Sequence, residues 1–248
     1  MTKLSKRLYT IASMVTPGNR LADVGTDHGF LPLYLLEQGR IPSALAMDVN
    51  AGPLERAKEH IAGNNCQAYI ETRLSDGLSK LIPGEVDTVV IAGMGGGLMV
   101  RILTQDLSKL EGLKELILQP QSEIHEVRTC MERIGFIIVD EEMLVEDEKY
   151  YVVIRAIPTA PDAKSQMANT CKETGDGVAY ATLEHLYGPI LLQKKHPILR
   201  EWLEREIRIC QEIIDRLSGD DVGEKALLRR SEIEQKQKLL NLTLTMIH

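Results

Sequence analysis

Between Arg20 and Ile157 the chain repeats one alternation: a short run of aliphatic and β-branched residues, then a stretch whose apolar positions recur every three or four residues. That pattern predicts an α/β fold, a largely parallel sheet flanked by helices. The predicted strands are LADVG (21–25), ALAMDV (44–49), AYIETR (68–73), DTVVIAG (87–93), ELILQP (115–120), FIIVDEEML (136–144) and YYVVIRAI (150–157). The last two are joined by the acidic turn VEDEK and read as an antiparallel hairpin. PLYLLEQG, GPLERAKEHIAG, LMVRILTQDL and SEIHEVRTCMERIG have helical spacing, with proline or glycine at their ends.

The pattern changes after Ile157. PTAPDAKSQMANTCKETGDG has little apolar content and reads as a linker. Beyond it Leu199, Leu203, Ile207, Cys210, Ile214 and Leu217 step by four, four, three, four and three residues, the spacing of a coiled-coil seam. SGDDVG breaks that helix, and a second one from Glu224 to about Leu242 is expected to return antiparallel, completing a helical hairpin. The expected organisation is therefore an α/β domain over residues 1–160 and a helical, coiled-coil domain over residues 161–248.

Composition narrows the function classes. With 248 residues, 44% of them hydrophobic, the chain can bury a sizeable core. It has no apolar run of membrane-spanning length, and MTKLSKRLYTIASM is too charged for a signal peptide, so a cytoplasmic protein without membrane association is expected. Cys66, Cys130, Cys171 and Cys210 form no CxxC pair, and neither a metal site nor a disulfide framework is expected. A net charge of −7 rules out a uniformly positive surface but permits a basic face. Candidates for such a face are Lys3, Lys6 and Arg7 on an N-terminal helix, and Lys194, Lys195 and Arg200 before the seam. Arg229 and Arg230 alternate with glutamates and read as a solvated helix face. The single tryptophan, Trp202, reads as packing.

The candidate chemistry begins at RLADVGTDHGFLP, residues 20–32, where the first strand runs into a turn bracketed by Gly25 and Gly29. Open α/β sheets bind ligands at this carboxyl edge. The GxGxxG spacing of a pyrophosphate site is absent, and Asp27 would repel pyrophosphate, which argues against a nicotinamide oxidoreductase. Carboxylates suit a cation, and S-adenosylmethionine carries both an ammonium and a sulfonium, so Asp23 or Asp27 is expected to hold its amino group. Asp48, ending the second strand 25 positions after Asp23, is placed to accept from a ribose. Asp76, after the third strand, is placed to accept from an adenine amino group. The run IAGMGGGLM, with Gly93, Gly95, Gly96 and Gly97 around Met94, suggests close approach of a flat substrate or of the cofactor's methyl end. Gln119 and Gln121, in QPQSE, are candidates to hydrogen-bond a base edge.

In DVGTDHGFLP, AMDVN, SDGL, IAGMGGGLM, LILQPQ and LYGPILL the chain resembles the bacterial tRNA adenine-N1 methyltransferases that modify adenine 22 in the D-arm. The resemblance spans nearly the whole chain and is most specific in the pairing of the DHG turn with AGMGG. Mild departures are Thr26 and Gly29, where the family carries serine and alanine. The resemblance implies a class I, Rossmann-like, seven-stranded methyltransferase sheet, S-adenosylmethionine as cofactor and tRNA as partner. It implies a cofactor site drawn from Asp23, Gly25, Thr26, His28, Gly29, Asp48, Val49, Asn50, Asp76, Gly77, Ala92, Gly93 and Met94. It implies that AGMGG lies between cofactor and target base; the expected substrate side joins Gly95 and Gly96 of that run to the basic Lys3, Lys6 and Arg7 and to Gln119 and Gln121 after the fifth strand. Asp27 is the expected catalytic group, because methylation makes adenine cationic and a nearby carboxylate stabilises that charge. The rival readings are a methyltransferase for a small molecule or protein, and a non-catalytic RNA-binding scaffold.

Overall fold

The structure is a computed structural model that describes residues 2–160, 180–217 and 223–247. The chain divides into two compact units, residues 1–170 and 171–248. The expected linker lies, from Pro161 on, outside the described residues, as do Cys171 and most of SGDDVG.

In the first unit, β1 (Leu21–Val24), β2 (Ala44–Asp48), β3 (Ile70–Leu74), β4 (Thr88–Met94), β5 (Glu115–Pro120), β6 (Phe136–Glu146) and β7 (Lys149–Pro158) form one sheet in the order β3-β2-β1-β4-β5-β7-β6. The first five strands run parallel, and β7 inserts antiparallel between β5 and β6. Asp147 and Glu148, between β6 and β7, both take positive φ (49° and 61°), the twist-matched geometry of a tight hairpin turn. Every residue of β1, β2 and β5 is buried, because helices cover both faces of the parallel part.

On one face, α1 (Lys6–Met14), α2 (Phe30–Glu37) and α3 (Ala51–Gly63) pack Ile11, Leu33, Leu35 and Ile61 against Val90 and Ile117. Strand alternation turns Val89, Ile91, Leu116 and Leu118 to the other face. There α4 (Gly96–Thr104) and α5 (Ile124–Arg133) bury Met99, Leu103, Val127 and Met131.

The placement of α1 matters for the site. Its N-cap is Ser5, whose side chain accepts from the Leu8 N–H. Past its C-terminus, Thr16 donates to the Glu115 carboxylate from its backbone N–H (2.9 Å) and its hydroxyl (2.7 Å). Thr88 (2.7 Å) and Arg155 (2.8 Å) donate to the same carboxylate. Burial raises the Glu115 pKa, but these bonds outweigh it and hold the group below its ordinary range. Four positions along β5, on the same strand face, Gln119 accepts from Arg7 Nη1 at 2.7 Å. One strand therefore fastens α1 at both ends.

The second unit contains α6 (Tyr180–Tyr187), α7 (Pro189–Gln193), α8 (Pro197–Arg216) and α9 (Glu224–Met246). The sequence pattern anticipates α8 and α9 but not the short α6 and α7, which are split at Gly188–Pro189. Along the seam Leu199, Leu203, Cys210 and Ile214 are buried, while Ile207 and Leu217 are half-buried. α9 returns antiparallel: Lys236 pairs with Glu206 (2.7 Å), and Arg200 donates to the Ile247 carbonyl (2.8 Å). Trp202 packs at 6.2 Å from the Tyr187 ring. Among the described residues Cys66, Cys130 and Cys210 are free thiols, no acidic, His or Cys group has the makings of a metal site, and no helix is long and apolar enough to cross a membrane.

Candidate active site at the carboxyl edge of the sheet

Three successive strand ends supply acids. Asp23 is buried in β1 with no cation paired to it among the described residues. Burial drives its pKa up to about 6; the Thr26 hydroxyl offsets part of the rise without reaching full hydrogen-bond geometry, and the nearby Asp48 charge adds to it. The following turn is pinned to β2, because the N–H groups of Gly25 (2.8 Å) and Thr26 (2.9 Å) both donate to the Met47 carbonyl. Gly25 has φ +81°, and a Cβ there would run into the Met94 methyl. Gly29 caps α2 in the left-handed region.

Asp27 points out of this turn. Its side chain is 65% exposed and pairs with Arg56 Nη2 of α3 at 2.7 Å, with His28 Nε2 at 3.3 Å. The sequence reading left Asp27 without a protein cation, and Arg56 is that cation. His28 stacks on Phe30 (5.1 Å) and on His60 (5.3 Å), and its Nδ1 is buried without a hydrogen bond.

At the end of β2, Asp48 is buried and accepts from the Asn50 N–H (2.7 Å) with one carboxylate oxygen. The other oxygen makes no hydrogen bond within the described residues. Val49, next in the chain, is 57% exposed, an apolar side chain standing free at the sheet edge. After β3, Asp76 is exposed, and Gly77 is buried against Ile102, which a Cβ would approach to 2.9 Å. Packing against α4 accounts for that glycine.

The glycine run of β4 has two separate causes. The β4–β5 register slips between Ala92 and Met94, leaving Gly93 as a bulged, exposed residue at φ +78°. The bulge turns the backbone toward Arg7, whose Nη1 lies 3.6 Å from where a Gly93 Cβ would be. Gly95 and Gly96 start α4. Gly96 is buried, and a Cβ on it would stand 2.5 Å from the Ser122 carbonyl oxygen. The sequence suggests close approach of a ligand for the whole run, but at Gly96 the close approach is by protein: Gly96 lets α4 pass against the loop before α5. Glu123, at φ +45°, turns its carboxylate back to accept from the Gly97 N–H (3.0 Å), which holds its pKa below the ordinary range.

One further expectation changes. Gln119, expected to read a base edge, is 0% exposed; it accepts from Arg7 and donates to the Pro120 carbonyl (3.0 Å), so it supports Arg7 instead. Lys6 is exposed, as a basic face requires, and also reaches the Val145 carbonyl (3.2 Å). Gln121 is exposed, its N–H bound to the Met94 carbonyl, and Lys3 is exposed. Arg56 and His60 went unnoticed in the sequence, since only the fold brings them to the turn and no local spacing signals it; Phe30 stands in the quoted stretch itself, and its stacking on His28 was not read there.

A methyltransferase-domain family model matches residues 4–154. Over 239 residues the chain is 32% identical to the tRNA (adenine(22)-N(1))-methyltransferase of Bacillus subtilis, covering 96% of this chain and 95% of the relative. This chain belongs to that methyltransferase family. The crystal structure of the B. subtilis m1A22 tRNA methyltransferase TrmK superimposes with a TM-score of 0.82 at 30% identity, covering 98% of this chain and 100% of that one. A Streptococcus pneumoniae relative crystallised with S-adenosyl-L-methionine superimposes with a TM-score of 0.77 at 30% identity, with the same coverage.

The methyltransferase's own residues fit S-adenosylmethionine. Among the described residues Asp23 is a buried carboxylate lacking a cation and Asp48 keeps one oxygen unbonded, and Val49 offers an apolar surface beside it. The Gly25 turn lets backbone pass where a side chain would stand. The carboxyl edge is thus prepared for a ligand with a positive charge, a hydroxyl pair and a flat ring.

Proposed function

We propose that this methyltransferase transfers the methyl group of S-adenosylmethionine to N1 of adenine 22 in tRNA, in the cytoplasm. The observation that carries the reading is the likeness to the B. subtilis enzyme over nearly the full length of both chains. The acid-lined strand ends supply matching chemistry.

When bound, S-adenosylmethionine supplies an electrophilic methyl on its sulfonium. The residues of this chain hold and orient it: Asp48 accepts from the ribose hydroxyls, Val49 packs beside the adenine, Asp76 accepts from the adenine amino group, and Asp23 holds the ammonium. Thr26, His28, Gly29, Asn50, Gly77 and Ala92 complete the walls. Adenine N1 has an in-plane lone pair, so alignment and water exclusion suffice without a strong base. The exposed Gly93 bulge and the Met94 side chain face the methyl end. Asp27 stabilises the adeninium as it forms, exchanging Arg56 for the new cation. Residues 1–160 carry this chemistry, and residues 161–248 form an arm that grips tRNA. Lys3, Lys6, Lys194 and Lys195 are the proposed phosphate contacts. Arg229 and Arg230 pair with Glu232 and Glu234 at 2.8 Å each, in keeping with a solvated helix face.

Incubating the protein with labelled S-adenosylmethionine and total tRNA, followed by nucleoside mapping, tests the reading. Label in 1-methyladenosine at position 22, lost when that adenine is replaced, is expected. Label elsewhere, or none, overturns it.

A further inference from the structure

The QPQ run that closes β5 carries two amides with opposite fates. Gln119 is buried and engaged at both ends, accepting from Arg7 and donating to the Pro120 carbonyl. Gln121, one residue past the strand, is exposed, and its side-chain amide makes no hydrogen bond among the described residues. Its backbone is nonetheless fixed. The pairing of β4 with β5 resumes beyond the bulge: the Gln121 N–H donates to the Met94 carbonyl (2.9 Å), and the Gly96 N–H donates to the Ser122 carbonyl (3.1 Å). Gln121 Nε2 lies 3.8 Å from where a Gly93 Cβ would be, beside an exposed residue with no side chain of its own. The next residue, Met94, reaches the Gly25 turn with its methyl. An anchored backbone thus holds a free amide over bare main chain, next to the turn proposed to cradle the cofactor.

The reacting atom limits how adenine can be held. N1 lies on the Watson–Crick edge, so the base must leave its pair and its stack to be methylated. The N1 lone pair must then stay clear of protein to meet the methyl. The edge that still offers a donor beside an acceptor is the Hoogsteen edge, with the N6 amino group next to N7. A carboxamide presents one acceptor and one donor side by side, the complement of that edge. Guanine presents two acceptors there, O6 and N7, and one of them would face the amide oxygen.

We propose that Gln121 reads the target adenine on its Hoogsteen edge, Oε1 accepting from the N6 amino group and Nε2 donating to N7, with the Gly93 main chain beside the ring. This rests on the adenine-N1 reading above and adds what selects the base. The contact also strengthens during the reaction. Methylation at N1 spreads positive charge onto the N6 amino group, so its hydrogen bond to Oε1 becomes charge-assisted as the adeninium forms.

The test uses the full chain and tRNA carrying either adenine or 7-deazaadenine at position 22; the analogue keeps N1 and N6 but lacks the N7 acceptor. Methylation from labelled S-adenosylmethionine is followed in single turnover, and each variant is read by its ratio of rates, adenine over 7-deazaadenine. Comparing ratios between variants cancels the different N1 basicity of the two bases and any partial loss of folded protein. Gln121→Ala should methylate the natural tRNA about 10- to 100-fold more slowly, the scale of a lost bidentate base contact. It should lose nothing further on 7-deazaadenine, so its ratio should stand about 3- to 10-fold below wild type. Gln121→Glu turns a second acceptor toward N7, and its ratio should fall below that of Gln121→Ala. S-adenosylhomocysteine affinity, by calorimetry, should match wild type in both variants. An unchanged ratio in Gln121→Ala overturns the Hoogsteen assignment. A fall in S-adenosylhomocysteine affinity that parallels the lost rate overturns it too, and makes Gln121 a wall of the cofactor site. If the wild type labels neither tRNA at position 22, the adenine-22 reading itself is wrong.

Discussion

At the scale of single residues, the site is governed by which charges have partners. Asp48→Ala removes the proposed ribose contact and should weaken S-adenosylmethionine binding by roughly 1–3 kcal/mol in calorimetry. Asp23 carries a pH dependence. Its pKa in the ligand-free fold, about 6, lies above that of the unfolded chain, so the folded protein retains a proton the unfolded chain has lost. Its carboxyl therefore costs no stability below the ordinary carboxylate range, and increasingly destabilises the fold as pH rises through about 6. An ammonium ligand needs the ionised form, so S-adenosylhomocysteine affinity should climb with pH up to about 6 and then level. Asp23→Asn should flatten that rise and leave the ligand-free melting temperature at pH 7 equal or higher. Asp27 is the contrasting case, exposed and already paired with Arg56. Asp27→Asn should slow methyl transfer on the order of 10²-fold if the carboxylate meets the adeninium. Arg56→Gln, which releases that carboxylate, should leave the rate equal or higher. Full activity in Asp27→Asn would reduce the residue to a surface pair contributing about 0–1 kcal/mol.

At the scale of elements, the strand ends are shaped by backbone approach. Gly96→Ala would place a methyl 2.5 Å from the Ser122 carbonyl oxygen and 2.7 Å from that of Glu123, backbone atoms that cannot swing aside. Destabilisation of about 1–3 kcal/mol, typical of overpacking, is expected as a lowered melting temperature. The same substitution at Gly18 meets nothing within 4 Å, although φ there is +87°, and serves as a control for backbone strain alone. The strands and main helices were legible because each must cover a face, and face-covering writes a period of two or 3.6 into the chain. Gly188–Pro189 is a legible break, but the short helices around it fall below the length at which a period is readable.

At the scale of the molecule, the proposed division of labour predicts that truncation after about residue 160 leaves S-adenosylmethionine binding nearly intact and sharply reduces tRNA affinity. Titrations at two salt concentrations should show the lost affinity to be salt-dependent, since phosphate contacts release counterions. Equal methylation by the truncated chain would assign the helical unit another purpose. The sequence by itself determined the α/β alternation, the hairpin of β6 and β7, the α8–α9 seam and the acids at three strand ends. Each of these follows from neighbours in the chain, through side-chain period or turn chemistry. Only the tertiary structure decided what the charges do. Arg7 meets Gln119 across 112 positions, and Arg56 meets Asp27 across 29. Likewise Gly93 and Gly96 stand three residues apart yet serve a bulge and a close packing contact. The physical reason is that a charge is satisfied, and a Cβ excluded, by whatever atom lies within a few ångströms, and strand order rather than chain order chooses that atom.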